Sequence, residues 1–309
     1  MGITMTDPTQ TFRAGYAAII GEPNVGKSTL MNAFLGQKIS IVTPKPQTTR
    51  HRVLGIMSGE NYQVVFLDTP GIITPKYRLQ EVMMETARSA LADADVVLFM
   101  VDVKRVDAVS VEDQNEQTLG LLRITSKPVL LVLNKIDLIH KDALLPMLDA
   151  FGKLYPFREM IPVSALTGDG VRDITHSLVT LLPLNEPFYP PDMLSEQSER
   201  FFAGEIVREK IFEKFREEVP YSTAVRIVDF KEREAGKDYI NADIIVERES
   251  QKAILIGKGG KALREVGLSA RRDIEEFLGR PVYLELRVKV REKWRDSDAW
   301  LKRLGYAPG

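Results

Sequence analysis

Nine residues limit what this chain can fold into more than any others: GEPNVGKST, residues 21–29. A short apolar run, YAAII (16–20), leads in, and a helical pattern (27–36) leads out. Gly21, Glu22, Pro23, Asn24, Val25, Gly26, Lys27 and Ser28 fit G-x-x-x-x-G-K-[ST], and strand–loop–helix is the context that pattern requires. In such a loop, backbone N–H groups cradle phosphates and the positive end of the helix adds to their field. Lys27 is expected to reach the β- and γ-phosphates and Ser28 to ligate Mg²⁺, and Thr29 is counted with the nucleotide-binding residues. The loop alone does not separate ATP from GTP.

Further apolar runs follow at VLGIM (53–57), YQVVFL (62–67), VVLFMV (96–101), VLLVL (129–133) and MIPVS (160–164). Helical patterns lie between them near 79–92, 112–124, 143–155 and 171–182. Most runs are continuously apolar, as strands covered on both faces of a mostly parallel sheet must be. The expected fold is α/β, with helices on both faces of the sheet. The stretch LPLNEPFYPPDMLSEQ (182–197) holds four prolines and reads as a stiff, extended linker.

Beyond it the pattern changes. Val207, Ile211, Phe215 and Val219 recur every four residues, which predicts a helix from about 199 to 219. Two strands are expected near 223–231 and 238–248, then a short helix, a longer one over 261–278, and the alternating strand VYLELRVKV (282–290). The segment REKWRDSDAWLKRL (291–304) reads as an amphipathic tail helix carrying Trp294, Trp300, Leu301 and Leu304. The expected organisation is therefore 1–182, a linker at 183–197, and a second domain at 198–309.

The composition suits two soluble domains: 309 residues, 44% hydrophobic and 28% charged. A net charge of −1 means that any polyanion must be met by a local patch. With no cysteine there can be no disulfide, iron–sulfur cluster or thiolate zinc site, and three scattered histidines make a histidine metal site improbable. The segment MGITMTDPTQTF lacks the features of a signal peptide and only loosely fits a myristoylation pattern, and no apolar run approaches membrane-spanning length.

Base identity is read at Asn134-Lys135-Ile136-Asp137, the end of VLLVL. A carboxylate at Asp137 accepts from guanine N1–H and N2–H₂ together, donors that adenine does not offer. The Lys135 stem packs along the base and Asn134 ties this loop to the phosphate loop. After the next strand come Ser164, Ala165 and Leu166, with the Ala165 N–H available for guanine O6. At the end of YQVVFL, Asp68-Thr69-Pro70-Gly71 places Asp68 to hold Mg²⁺ through water and the Gly71 N–H to sense the γ-phosphate. Within KPQTTRH (45–51), Thr49 is expected to cap Mg²⁺ when GTP is bound, with Thr48 as the alternative. Lys27, Thr49 and Gly71 are thus expected in the catalytic set, which Asn24 joins only through the resemblance given below, and Ser28, Thr49 and Asp68 form the metal set. Ile72 and Ile73 stand where many Ras-like GTPases have a water-orienting glutamine, and neither can do that work.

A second glycine turn, Ile256-Gly257-Lys258-Gly259-Gly260-Lys261, opens the 261–278 helix, and Arg264 follows one turn later. It lacks the spacing of a nucleotide loop. A G-x-x-G between two helices with strands on either side is instead the KH arrangement, which clamps the backbone of single-stranded RNA. Residues 198–249 hold 10 Lys and Arg against 13 Asp and Glu, whereas residues 250–309 hold 14 against 8, so the basic excess sits with the turn.

GEPNVGKS, QTTRH, DTPG, NKID and SAL together resemble the translation-factor-related GTPases, and QTTRHR narrows the likeness to the Era family, from about Phe12 to Tyr306. The resemblance implies a P-loop GTPase domain followed by an α+β type II KH domain. It implies GTP/GDP and Mg²⁺ as ligands, binding to the 3′ region of 16S rRNA, and a part in small ribosomal subunit assembly. The same resemblance implies a cytoplasmic protein with peripheral contact to the inner membrane, and, from related GxPN-type GTPases, a K⁺ ion held by Asn24. A monomer that binds RNA and not DNA is expected. The competing reading is a passive RNA-binding module that binds GTP and barely hydrolyses it.

Overall fold

The structure is a computed structural model and describes residues 12–106 and 111–306. The myristoylation-like N-terminal pattern lies outside the described residues. By packing, the chain divides into two compact units. One comprises Met1–Ser40, Thr49–Thr74 and Met83–Glu196; the other comprises Ile41–Thr48, Pro75–Val82 and Gln197–Gly309.

The first unit is built on a sheet ordered β2-β3-β1-β4-β5-β6. Its strands are β1 (Arg13–Ile20), β2 (Val53–Ser58), β3 (Tyr62–Asp68), β4 (Val96–Asp102), β5 (Val129–Asn134) and β6 (Glu159–Val163). Every residue of β4 and β5 is buried, which is why these segments read as unbroken apolar runs. Neighbours pair in parallel except β2, which is antiparallel to β3. Helices α1 (Lys27–Leu35), α2 (Arg78–Asp93), α3 (Val111–Leu122), α4 (Leu144–Leu154) and α5 (Val171–Leu181) fall where the patterns predict. Because β1, β3, β4, β5 and β6 run in parallel, the segments after them all emerge at one edge. β1 lies between β3 and β4, where the chain order reverses, and such switch points open the crevice that holds ligands in α/β sheets.

The proline-rich stretch is extended, as its composition dictates, but it is no free tether. It runs along the first unit: Phe188 stacks on Tyr16 with centroids 5.2 Å apart, and the Phe188 and Tyr189 N–H groups donate to the buried Gln63 Oε1 at 2.7 and 3.0 Å. Ile56 N–H donates to Leu194 O at 2.8 Å, so the stretch satisfies part of the open edge of β2.

In the second unit the order is α6 (Glu199–Lys214), β7 (Ala224–Lys231), β8 (Asp238–Val246), α7 (Glu249–Ile256), α8 (Lys261–Leu278) and β9 (Val282–Val290). The sheet is β7-β8-β9, antiparallel then parallel, and its inner face packs with α6 and α8 around Val207, Ile211, Ile244, Val266 and Ile274. Two expectations are corrected. α6 stops at Lys214, because Phe215 turns extended (φ −97°, ψ 157°); Phe215 and Val219 are still buried, from a turn rather than a helix. The tail is not one helix either. Lys293 is left-handed (φ 50°), a single 3₁₀ turn covers Trp294–Asp296, and Ser297 caps a separate short helix, α9 (Asp298–Arg303). Trp294 and Leu301 are buried, and Trp294 Nε1 donates to Ser222 O at 2.9 Å, so these two residues are part of the unit's own core. Among the described residues no helix is long and apolar enough to cross a membrane.

Candidate nucleotide site and nucleic-acid interface

The nucleotide loop closes on Gly26, whose left-handed conformation (φ 104°) starts α1 with no side-chain cap and no acid in its first turn. The helix therefore opens on backbone N–H groups that no carboxylate or hydroxyl of its own cap has taken, the arrangement an anion exploits. Lys27 is buried, and its Nζ donates to Gly21 O at 3.2 Å and Glu22 O at 2.8 Å. Burial pushes the Lys27 ammonium down to about 8, against the opposing pull of Asp68 and Glu22. A further negative charge brought beside Nζ would pull it back up.

Beside it two hydroxyls converge on one carboxylate, and a third joins through the first. Ser28 Oγ donates to Asp68 Oδ2 at 2.7 Å and lies 3.0 Å from Thr49 Oγ1, while Ser40 Oγ donates to the same Oδ2 at 2.8 Å. Asp68 is fully buried and its Oδ1 has no hydrogen-bond partner. Burial raises its pKa; the Ser28 hydroxyl and the Lys27 charge pull the other way. An orphaned buried carboxylate oxygen among hydroxyls is a hard, all-oxygen donor set that fits Mg²⁺. No cluster of three His, Cys, Asp or Glu occurs among the described residues, so such an ion would draw on hydroxyls, water and phosphate, as magnesium usually does. Of the two threonines weighed above, Thr49 faces this cluster; Thr48 Oγ1 instead donates to Lys45 O at 2.8 Å.

The DTPG turn abuts the loop. Thr69 Oγ1 donates to Ile19 O at 2.8 Å and Ile72 N–H to Gly21 O at 3.0 Å. A Cβ on Gly71 would stand 2.6 Å from Pro23 N and 2.7 Å from Pro23 Cα, so only glycine permits this approach. Arg52 pairs with Asp93 and Arg50 is buried, so neither is offered as an exposed cation.

On the base side, Asn134 Nδ2 donates to Val25 O at 2.7 Å, the tie between loops that the sequence leads one to expect. Its Oδ1 accepts the Ala165 N–H at 2.9 Å, so that N–H is already engaged. Lys135, left-handed (φ 72°), sends Nζ to Asn24 O at 2.8 Å and Asp102 Oδ2 at 2.6 Å, which lays its stem across the space between the two loops. Asp137 is exposed on a single 3₁₀ turn, Ile136–Leu138, and Leu166 is 80% exposed beside buried Ser164 and Ala165. Sequence reasoning missed Ser40, Asp102 and Arg105. Asp102 ends β4 as Asp68 ends β3, and that shared position at a strand end was the available signal.

In the second unit, α7 ends at Gly257 (φ 72°) and α8 begins at Gly260 (φ 76°), again left-handed, uncapped and without a first-turn acid. The two glycine loops thus share one device, a helix started by a left-handed glycine with no side-chain cap, although in the second the Lys261 N–H already donates to Lys258 O. Lys258, Lys261 and Arg264 are exposed around the turn, while Ile256 is half-buried. Next to it lies a groove of about 350 Å³ lined by Gly260, Leu263, Arg264, Leu268, Arg271 and Leu286 among others. Leu263, Gly267, Leu268 and Arg271, which sequence reasoning missed, continue from Gly260 and Arg264 at helical spacing. That stripe was legible once α8 was assigned.

Comparison with known proteins identifies relatives of both units. A family model described as 50S ribosome-binding GTPase matches residues 16–135, and a KH domain model matches residues 218–295. GTPase Era of Geotalea daltonii is 48% identical over 297 residues, covering 96% of this chain and 99% of that protein. The chloroplastic GTPase ERA1 of Zea mays is 48% identical over 299 residues, covering 95% of this chain and 70% of that protein. An Aquifex aeolicus Era variant bound to GDP·AlF₄⁻ superposes with a TM-score of 0.92 at 43% identity, covering 96% of this chain and all (100%) of that one. Era in complex with MgGDPNP and nucleotides 1506–1542 of 16S ribosomal RNA superposes with a TM-score of 0.91 at 44% identity, with the same coverage of 96% and 100%. With near-complete, near-half identity to proteins named Era, the chain belongs to the Era family of GTPases.

Proposed function

We propose that this chain hydrolyses GTP on its first unit, holds the 3′ region of 16S rRNA on its second, and acts in small-subunit assembly. The observation that carries the reading is the pair of uncapped, glycine-started helices, one in each unit, in a chain akin to an Era crystallised with both a GTP analogue and 16S RNA. The first helix start takes the phosphates of a mononucleotide and the second takes an RNA backbone. Lys27 leaves the Gly21 and Glu22 carbonyls for the β- and γ-phosphates. Ser28 and Thr49 would hold Mg²⁺ directly and Asp68 through water, and the ion would supply positive charge against the phosphates. The Gly71 N–H meets the γ-phosphate. Asp137 reads the guanine edge, the Lys135 stem and Leu166 flank the base, and O6 shares the engaged Ala165 N–H or takes the next one along. In the second unit the turn 256–261 and Arg264 clamp four or so nucleotides, with the α8 groove for their bases. Crosslinking the protein to cellular RNA and sequencing the fragments tests the partner. Enrichment of the 16S 3′ end is expected, and fragments scattered without preference would overturn it.

A monovalent cation completes the phosphate site in this reading. Ile72 and Ile73 orient no water, and Asn24 stands at the rim of the loop in a left-handed conformation (φ 66°) that asparagine tolerates well. Asn24 would hold K⁺ there, and the ion would supply the charge that an arginine finger supplies elsewhere. Exchanging K⁺ for Na⁺ at equal ionic strength slows GTP turnover, and Asn24→Gly, which keeps the left-handed backbone, is slow in both salts while still binding GTP. Equal wild-type rates in the two salts would remove the K⁺ role. Peripheral contact with the inner membrane and a monomeric, cytoplasmic state also belong to this proposal; flotation with liposomes and sedimentation of the full chain test them.

A further inference from the structure

Two cations grip successive carbonyls of the phosphate loop from outside. Arg105 Nη1 donates to Pro23 O at 3.0 Å, and Lys135 Nζ donates to Asn24 O at 2.8 Å. Both are drawn to one carboxylate: Asp102, buried at the end of β4, accepts Lys135 Nζ at Oδ2 (2.6 Å) and lies 3.8 Å from Arg105 Nε. Its Oδ1 is fixed by the Lys104 N–H at 3.0 Å. Among the described residues this side of the loop is not backed by tight packing. It borders a cavity of about 200 Å³ lined by Glu22, Val25, Val101, Asp102, Arg105 and Asn115, with others. Pro23 also packs closely on Gly71, and the Pro23 and Asn24 carbonyls are held by these two hydrogen bonds.

In a trans peptide the C=O and the next N–H lie in one plane and point in opposite directions. Holding Pro23 O outward on Arg105 turns the Asn24 N–H inward, and holding Asn24 O outward on Lys135 does the same for the Val25 N–H. The inward side is where Lys27 Nζ lies across Gly21 O and Glu22 O, the place at which the β- and γ-phosphates arrive. We propose that Arg105, braced by Asp102, is a positioning residue for GTP hydrolysis. By fixing the Pro23–Asn24 peptide plane, it aims the Asn24 N–H at the oxygens between the β- and γ-phosphates. The inference rests on the GTPase reading above. Arg105 touches neither nucleotide nor metal; it acts through the backbone. Its role concerns the γ end of the nucleotide, so it matters more for hydrolysis than for holding GDP.

The test measures single-turnover GTP hydrolysis and GDP affinity on the full chain, for the wild type, Arg105→Ala, Arg105→Gln and Arg105→Lys. Losing one charge-assisted hydrogen bond from the transition state lowers the rate about tenfold. Arg105→Ala and Arg105→Gln are expected to show that loss, with GDP affinity within about threefold of wild type, as expected for a bond felt at the γ end. Arg105→Lys, which can still donate to Pro23 O, recovers a large part of it. The Arg105 side chain is half exposed (50%), so all three variants should keep the wild-type melting temperature. A purely structural role would lower rate, GDP affinity and melting temperature together, and that result overturns the proposal. So do wild-type rates in Arg105→Ala and Arg105→Gln, or a Lys variant no faster than Ala. A wild-type chain that hydrolyses no GTP defeats the GTPase reading itself and this inference with it, whereas an active wild type with unaffected variants defeats only the inference.

Discussion

Asp137→Asn converts this protein from a guanine to a xanthine binder. The Asp137 carboxylate is exposed on the turn that follows β5, and in the proposed reading it would accept two N–H groups from one base edge. An amide puts a donor where guanine also has donors, and xanthine, with a carbonyl at that place, restores the match. Sites built to hydrogen-bond one edge discriminate against a mispaired one by roughly 10⁴-fold or more. GTP affinity is therefore expected to fall by about that factor, and XTP affinity to rise above it. The rest of the loop is anchored independently: Asn134 holds Val25 O and Lys135 holds Asn24 O. The variant should thus melt with the wild type, so lost GTP binding would not reflect unfolding. Competition of GTP and XTP against a fluorescent nucleotide reads the switch, and a variant still preferring GTP would show that the base is read elsewhere.

Gly259→Asp should abolish most RNA binding while leaving nucleotide binding intact. Gly259 is left-handed (φ 60°), and a Cβ there meets nothing within 4 Å, so the side chain points into open space at the turn. Aspartate is among the residues that tolerate this backbone, which keeps strain small. What changes is a negative charge on the turn proposed to meet RNA phosphates. Losing one charge-assisted contact costs roughly 1.5–3 kcal/mol, or about 10- to 100-fold in Kd, before the added repulsion is counted. Lys258→Ala removes a single cation, so its salt dependence should flatten by about 0.7 in the slope of log K against log salt, the value for one contact on a single strand. RNA affinity unchanged in both variants would mark the turn as structural.

Much of this molecule was legible in its sequence, for physical reasons that also set the limits. Strands buried on both faces write unbroken apolar runs, so β3, β4 and β5 were plain; the direction of β2 was not, because pairing direction leaves no mark on composition. Motifs anchored at strand ends, such as Asp68 and Asn134, could be placed because parallel strands deliver their ends to one edge. Periodicity misled where a turn preserved it. Phe215 and Val219 keep the four-residue spacing of α6, and both are buried, yet the backbone leaves the helix at Phe215. The tail was misread for the opposite reason, since its apolar residues repeat like a helix while Lys293 and Ser297 break it. Arg105 carries no motif, and its contact with the Pro23 carbonyl, 82 residues away in the chain, exists only in the fold. The Ala165 N–H could be placed near the base from sequence, but not its existing bond to Asn134.

The central claim is that one chain both turns over GTP and binds ribosomal RNA. It is tested most directly by measuring GTP hydrolysis by the full protein in Mg²⁺ and K⁺, with and without an RNA carrying the 3′ end of 16S rRNA. The account predicts phosphate release above the protein-free background, at a rate that the RNA alters and that Asp137→Asn removes. GTP that is bound but not hydrolysed above background, with or without the RNA, would contradict it and leave a passive RNA-binding module.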